Sequence, residues 1–349
     1  MGARIRDVAV RAKVSAGWVS TYLNSPEKIA PDKARRIQQA IDELGYVRND
    51  AGRQLRRGTS GVVGFVAFDV GDPFTYMVAR GARRRAAEAG FRVVIADTEG
   101  DSSIERDYLK MFEEQRARGV LVSAVDNESY LEAAQIRQPT VMIDHRSNSG
   151  RFSSVSVNNV LGGRLAVDHL LDQGRTRIAF VGGPISIQQI GDRLHGAQLA
   201  IGERRGAQLE VISTEDRDTA AGRSVAERIL ARPPAQRPDA LFCVNDTIAV
   251  GVLQRLLTDG SIRLPEDLAI IGYNDVALES FPLYPLSSIR QPQEALGRTA
   301  VELLLDEVDA TAPGKRPHVV FDPELIVRQS TLSGDGSAAD VISIRPKPT

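Results

Sequence analysis

One cysteine, Cys243, stands in 349 residues. A lone thiol excludes an internal disulfide framework and fits a reducing compartment. Aromatic residues make up 5% of the chain, and tryptophan occurs once, at Trp18. No apolar run approaches the roughly 18 residues that a membrane span requires. The opening Met1-Gly2-Ala3-Arg4-Ile5-Arg6 lacks the apolar core of a secretory signal, and Arg6 stands where an N-myristoylation signal has Ser or Thr. A cytoplasmic protein with no membrane partner is expected. Catalytic signatures are missing too. The sequence has no Gly-rich phosphate loop ending in Lys-Ser/Thr, no Gly-x-Ser-x-Gly elbow and no His-Glu-x-x-His. His145, His169, His195 and His318 are scattered without metal-ligand spacing. No enzyme activity, metal or other cofactor is expected; each histidine reads as a surface or satisfied group, and Cys243 as an inert core thiol.

What is present is an ordinary globular composition, 42% hydrophobic and 26% charged, with length for two or three folding units. The net charge of −1 conceals an asymmetry: residues 1–60 hold twelve Lys/Arg and six Asp/Glu, a balance of +6, which leaves −7 on the remainder. A basic head on an acidic body suggests that the head alone meets a polyanion.

The first 45 or so residues read as three short helices. Ile5, Val8, Ala9 and Ala12 fall at helical spacing, then Val19, Tyr22 and Leu23, then Ile37, Ala40, Ile41 and Leu44. Ser15 is suited to cap the second helix, Ala30-Pro31-Asp32 to open the third and Gly45 to end it. Gly58-Thr59-Ser60-Gly61 then breaks the pattern. From Val62 onward apolar strand-like runs alternate with amphipathic helices in two successive series, the first reaching Val157 and the second running from Leu161 to Ile271. Such alternation indicates parallel sheets covered on both faces, and two series indicate two doubly wound lobes. A ligand site then belongs at the carboxyl ends of the strands, between the lobes. The stretch 334–349 is polar and unpatterned and is expected to be disordered.

Short segments in fixed order carry a resemblance: Arg6-Asp-Val-Ala, Val14-Ser15, Val19-Ser20, Leu23-Asn24, Ile41-Asp-Glu-Leu-Gly-Tyr46, Asn49, Leu55, Gly61-x-x-Gly64, Asp72-Pro73-Phe74, Asp192-Arg193, Asn245-Asp246, Ile271-Gly-Tyr-Asn-Asp275, Pro285-Leu286 and Ile289-Arg-Gln-Pro292. Over roughly residues 4–332 the chain resembles the lactose/galactose repressor (LacI/GalR) family. The resemblance implies an N-terminal all-α helix-turn-helix head over 1–48, a hinge helix and linker over 49–60, and an α/β body of two doubly wound, parallel-sheet, periplasmic-binding-protein-like lobes over 61–333. It further implies three crossings between lobes, near 158–162, 288–292 and 318–323, so the N-lobe takes about 61–158 and 291–319 and the C-lobe about 161–288 and 321–332.

By that resemblance the protein is a repressor that binds double-stranded operator DNA as a homodimer. A recognition helix near 16–24 enters the major groove. Ala16, Gly17 and Thr21 stand at positions that usually read bases, while Ser15, Ser20 and Asn24 are available for phosphates. Lys13 replaces the usual turn glycine, and Trp18 a usual threonine. Two placements of the indole stay open: inward against Ile5 or Val8, or outward toward DNA. Asn49, Arg53 and Leu55 match the hinge, in which paired leucines wedge into the minor groove.

The implied effector site comprises Asp72, Phe74, Ser123, Arg193, Arg217, Asn245 and Asn274. Asp72 and Asn245 suit hydroxyls, Arg193 suits vicinal hydroxyls or a carboxylate, and Phe74 offers an apolar face. That mix favours a sugar or sugar derivative. Arg193 as a structural bridge and Phe74 as plain core remain open, as do a nucleoside effector, control by a protein partner and a solute-binding role in transport.

Overall fold

The computed structural model describes residues 3–47, 60–124, 136–147, 150–276, 284–309, 316–332 and 342–344. They fall into two compact units, one within 1–60 and one within 61–349. The hinge residues Asn49, Arg53 and Leu55 lie outside the described residues.

Among its described residues the first unit holds three α-helices, α1 (Ile5–Arg11), α2 (Ala16–Asn24) and α3 (Pro31–Leu44), with a short 3-10 turn at Pro26–Lys28. Local chemistry sets their ends. The Arg4 amide donates to the Asp7 carboxylate at 2.7 Å, Ser15 caps α2 by accepting from the Trp18 amide, and Gly45 closes α3 in the left-handed conformation at φ 55°, which glycine adopts without the Cβ clash. One residue from each helix, Val8, Val19 and Ile37, is fully buried, and Ala9, Ala12 and Ala40 complete the core. Leu44, expected on the apolar stripe, is instead exposed in the last turn of α3.

The second unit opens with β1 (Val62–Ala67), α4 (Pro73–Glu88), β2 (Arg92–Asp97), α5 (Ser102–Glu114), β3 (Gly119–Val122), β4 (Thr140–Ile143) and β5 (Ser153–Val157). There follow α6 (Asn159–Asp172), β6 (Arg177–Val181), α7 (Gln188–Gly202), β7 (Gln208–Ile212), α8 (Thr219–Leu230), β8 (Ala240–Cys243), α9 (Asp246–Asp259) and β9 (Ala269–Asn274). It ends with β10 (Ser287–Arg290), α10 (Gln293–Asp309), β11 (His318–Phe321), β12 (Glu324–Val327) and β13 (Ile342–Ile344). Two sheets form. The first, in the order β11-β5-β4-β3-β1-β2, is parallel throughout. The second, β13-β12-β10-β9-β8-β6-β7, is parallel except at β12 and β13.

The central strands of each sheet are buried on both faces, while the edge strands β2, β7 and β11 stay partly exposed. In β1, Val63, Phe65 and Ala67 join one cluster, with Leu296, Val301 and Leu304 of α10, while Val66 joins the cluster holding Leu109 and Phe112 of α5. That is the two-residue period of a strand covered on both sides. In the second sheet Phe180 and Phe242 of adjacent strands meet edge-to-face, 5.4 Å between centroids, a geometry their ring quadrupoles favour.

The chain passes between lobes at 158, at 291–292 and at 322–323, since α10 and β11 return to the first lobe and β12 to the second. A linear division into two series does not contain the last two passages. The tail also differs from expectation: Ile342–Ile344 pair antiparallel with β12. A free edge offers unpaired N–H and C=O groups to any extended segment, apolar pattern or not.

Candidate functional site

The carboxyl ends of the strands converge on the space between the lobes. Asp72 follows β1, Ser123 follows β3, Asn245 follows β8, Asn274 ends β9, and Arg193 projects from α7. These five, with Phe74 and Arg217, all line one chamber of about 70 Å³. Phe68, Asp69, Asp72, Ile187 and Arg217 also line an outer chamber of about 570 Å³.

Arg193 is the best-held side chain there. Its Nε donates to Asn159 Oδ1 at 2.9 Å and one Nη donates to the Val244 carbonyl at 2.6 Å, while its guanidinium lies 3.7 Å from the centroid of the Tyr273 ring. The Tyr273 hydroxyl donates to the same Asn159 oxygen at 3.0 Å. Gly163 brings helix α6 close behind: a Cβ there would overlap the Arg193 carbonyl. None of these hydrogen bonds is to a carboxylate, so the guanidinium is fixed by neutral acceptors and an aromatic face.

Asn245 and Asn274 are more structural than the sequence suggested. Asn245 accepts from the Ile248 amide at 2.9 Å as the cap of α9 and donates to the Arg217 carbonyl at 2.9 Å. Asn274, at φ 106°, accepts from Gln291 at 2.6 Å, and its carbonyl accepts from Gln293. It therefore ties the end of β9 to the second passage between lobes.

Burial governs the electrostatics. It pushes the Asp72 carboxyl above its ordinary pKa, against the Phe74 amide that donates to it and the nearby Arg217. It pushes Asp144 up to about 7, with Arg193 opposing and Asp72 reinforcing the shift. It pushes the Arg217 guanidinium down, against Asp72 and Asp69. Charged forms lose hydration in such a site, and only partners restore it. Asp144 Oδ1 is buried with no hydrogen-bond partner among the described residues. The Asp144 carbonyl accepts from Gln189 of α7, and the Arg146 amide donates to Gln188 at 3.0 Å, so two bonds cross the cleft. Arg217 lies 4.5 Å above the centre of the Phe68 ring.

On the first unit, Ser15, Gly17, Trp18 and Asn24 are exposed and Ala16, Ser20 and Thr21 half-buried. The indole points outward rather than into the core: Trp18 is 42% exposed. The Thr21 hydroxyl donates to the Gly17 carbonyl at 3.0 Å, and Asn24 donates to the Ser20 carbonyl at 2.8 Å. At Gly17 a Cβ would meet only the Ser15 hydroxyl among the described residues, at 3.6 Å, so none of them demands glycine there. Lys13 takes φ 53° in the turn between α1 and α2, a cost of about 1 kcal/mol for a side chain with a Cβ.

Residues 4–49 match the model for bacterial regulatory proteins of the lacI family, and residues 167–331 match the periplasmic binding protein-like domain. The HTH-type transcriptional repressor PurR of Aliivibrio fischeri strain MJ11 is 32% identical over 337 residues, 95% of this chain and 99% of that protein. The chain belongs to the lacI family. It is a DNA-binding transcriptional repressor of that family and not an enzyme. Among other lacI-family relatives, the ribose operon repressor of Escherichia coli K12 is 32% identical over 315 residues, 88% of this chain and 93% of its own length. The fold matches that of the lac repressor dimer bound to operator and the anti-inducer ONPF, with TM-score 0.81, 24% identity, and coverage of 95% of this chain and 100% of that one.

Reading this lacI-family sequence alone missed Phe68, Asp69, Asp144, Ile187, Gln189 and Val244 in the chamber wall. For Asp144 a signal was present: it directly follows β4, and the carboxyl end of every central strand is a candidate position in such sheets. Ile187 and Gln189 carried none, since they sit where α7 begins in the opposite lobe.

Proposed function

We propose that this lacI-family repressor binds a polyhydroxylated small molecule, a sugar or sugar derivative, between its lobes, and that binding changes its affinity for operator. The observation that carries the reading is the inner chamber: carboxylates from one lobe, the half-buried Asp72 and the buried Asp144, face guanidinium groups from the other, Arg193 and Arg217. Donors and acceptors facing each other across one chamber suit a ring of hydroxyls, each of which both donates and accepts. Ligand contacts to both lobes make one lobe arrangement bind better than another, which linkage requires of any effector.

The chain acts in the cytoplasm as a homodimer on this reading, because paired heads suit a two-fold symmetric operator. Ser15, Ala16, Gly17, Trp18, Ser20, Thr21 and Asn24 then face DNA, with Asn49, Arg53 and Leu55 in the hinge. A nucleoside is the second reading. It needs aromatic faces for the base; Phe74 lines the inner chamber, but one face of Phe68 is already covered by Arg217, and that loss weighs toward the sugar. The test is melting temperature and operator affinity measured with a panel of sugars and nucleosides. A sugar that raises the first and changes the second supports the proposal; a response to nucleosides alone overturns it.

A further inference from the structure

The cleft is charged unevenly. Asp69, Glu99, Glu215, Asp216 and Asp218 line the outer chamber, Asp72 lines both chambers and Asp144 the inner one. Among the described lining residues the cations are Arg217, which lines both chambers, and Arg193, which lines the inner one. Arg193 already spends its Nε and one Nη on Asn159 and Val244, and Arg217 lies over Phe68, beside Asp72 and Asp69, so the carboxylates outnumber the guanidinium groups that could offset them. The second observation is the unpartnered Asp144 Oδ1, on a residue only 8% exposed that lines the inner chamber. A buried carboxylate oxygen without a donor is costly, so a donor that enters the cleft and meets Asp144 gains by relieving that cost.

We infer that the effector carries no phosphate or carboxylate and is a neutral or amine-bearing polyol whose O–H or N–H groups donate to Asp144 and Asp72. The inference rests on the effector reading of the cleft given above. A negative mouth in low-dielectric walls repels an incoming anion and concentrates a cation. A phosphoryl or carboxylate group in the inner chamber would face Asp72 and Asp144 while bringing acceptors where a donor is missing.

Two measurements on the full-length protein test this. The first is calorimetry with matched compounds: ribose against ribose 5-phosphate, and glucose and glucosamine against glucose 6-phosphate and gluconate. The neutral or aminated member of any pair that binds should be favoured by at least about tenfold, which corresponds to roughly 1.4 kcal/mol. An anionic member that binds as tightly as its neutral counterpart overturns the inference. The second measurement needs no ligand. In a Trp18→Phe, Ile187→Trp variant the sole indole reports on the cleft, and cesium should quench it more efficiently than iodide. Equal or better quenching by iodide overturns the charge argument, and Phe74→Trp gives the same readout should Ile187→Trp not fold. A panel in which nothing binds, with cesium still the better quencher, overturns the effector reading and the polyol with it, so the two failures are distinguishable.

Discussion

Lys33, in the first turn of α3, holds its ammonium 3.8 Å from the centroid of the Trp18 ring on α2. The pair lies on the surface of the head, where such a contact contributes about 0.5–1 kcal/mol. It keeps a cation beside the residues proposed to meet DNA. Lys33→Met should lower head stability by no more than about 1 kcal/mol, and if Lys33 meets a phosphate it should reduce the salt slope of operator binding by about one unit. Because Trp18 is the sole tryptophan, its emission reads this surface alone. In the free protein it should be red-shifted and open to iodide, and operator DNA should protect it. Emission that ignores operator would remove Trp18 from the DNA-facing surface.

Arg193→Ala should abolish the effector response and leave operator binding in place. The substitution strips the Val244 carbonyl of a buried donor and uncovers one face of Tyr273, at a cost of about 1–3 kcal/mol. Arg193→Lys should keep the charge yet lose the response, since one ammonium cannot reproduce the planar fork. An Arg193→Lys protein responding at the wild-type effector concentration would count against this geometry.

Asp144 makes stability depend on pH. Its folded pKa is raised from 3.8 to about 7, so between those values the folded state binds the proton more readily than the unfolded state. Its contribution is therefore fully present below about pH 4 and is lost as pH rises through about 7. The charged groups acting on it are Arg193, Asp72 and Arg217, and the Gln189 amide faces it as well. Asp144→Asn should remove this part of the slope in denaturant melts taken across that window. A ligand that donates to the ionised carboxylate should bind more tightly as pH rises through about 7. An unchanged slope in Asp144→Asn would show that the carboxyl titrates normally.

Leu55→Ala tests the hinge that the family resemblance implies. A minor-groove wedge adds to specific binding and little to non-specific binding. The variant should lose a few kcal/mol of operator affinity at fixed salt and keep its affinity for random DNA. Equal losses on both DNAs would make Leu55 a linker residue.

Most of the helices and strands are legible from local sequence patterns, the strand at Ile342–Ile344 being an exception. Helical spacing at Val8, Val19 and Ile37, the Ser15 cap and the Gly45 terminator define the head, because caps and apolar periodicity are local properties. The alternating runs from Val62 to Ile271 define two parallel sheets for the same reason, and motif matching placed Asp72, Phe74, Ser123, Arg193, Arg217, Asn245 and Asn274 in one chamber wall. Tertiary structure decided what those residues can do. Asn245 and Asn274 spend hydrogen bonds on a helix cap and on Gln291, Arg193 is fixed on Tyr273 and Asn159, and Asp144 enters the cleft with an oxygen left unpartnered. Each outcome joins residues far apart in the chain. A buried polar group is defined by the donors and acceptors that long-range packing brings to it, and no local pattern encodes that set.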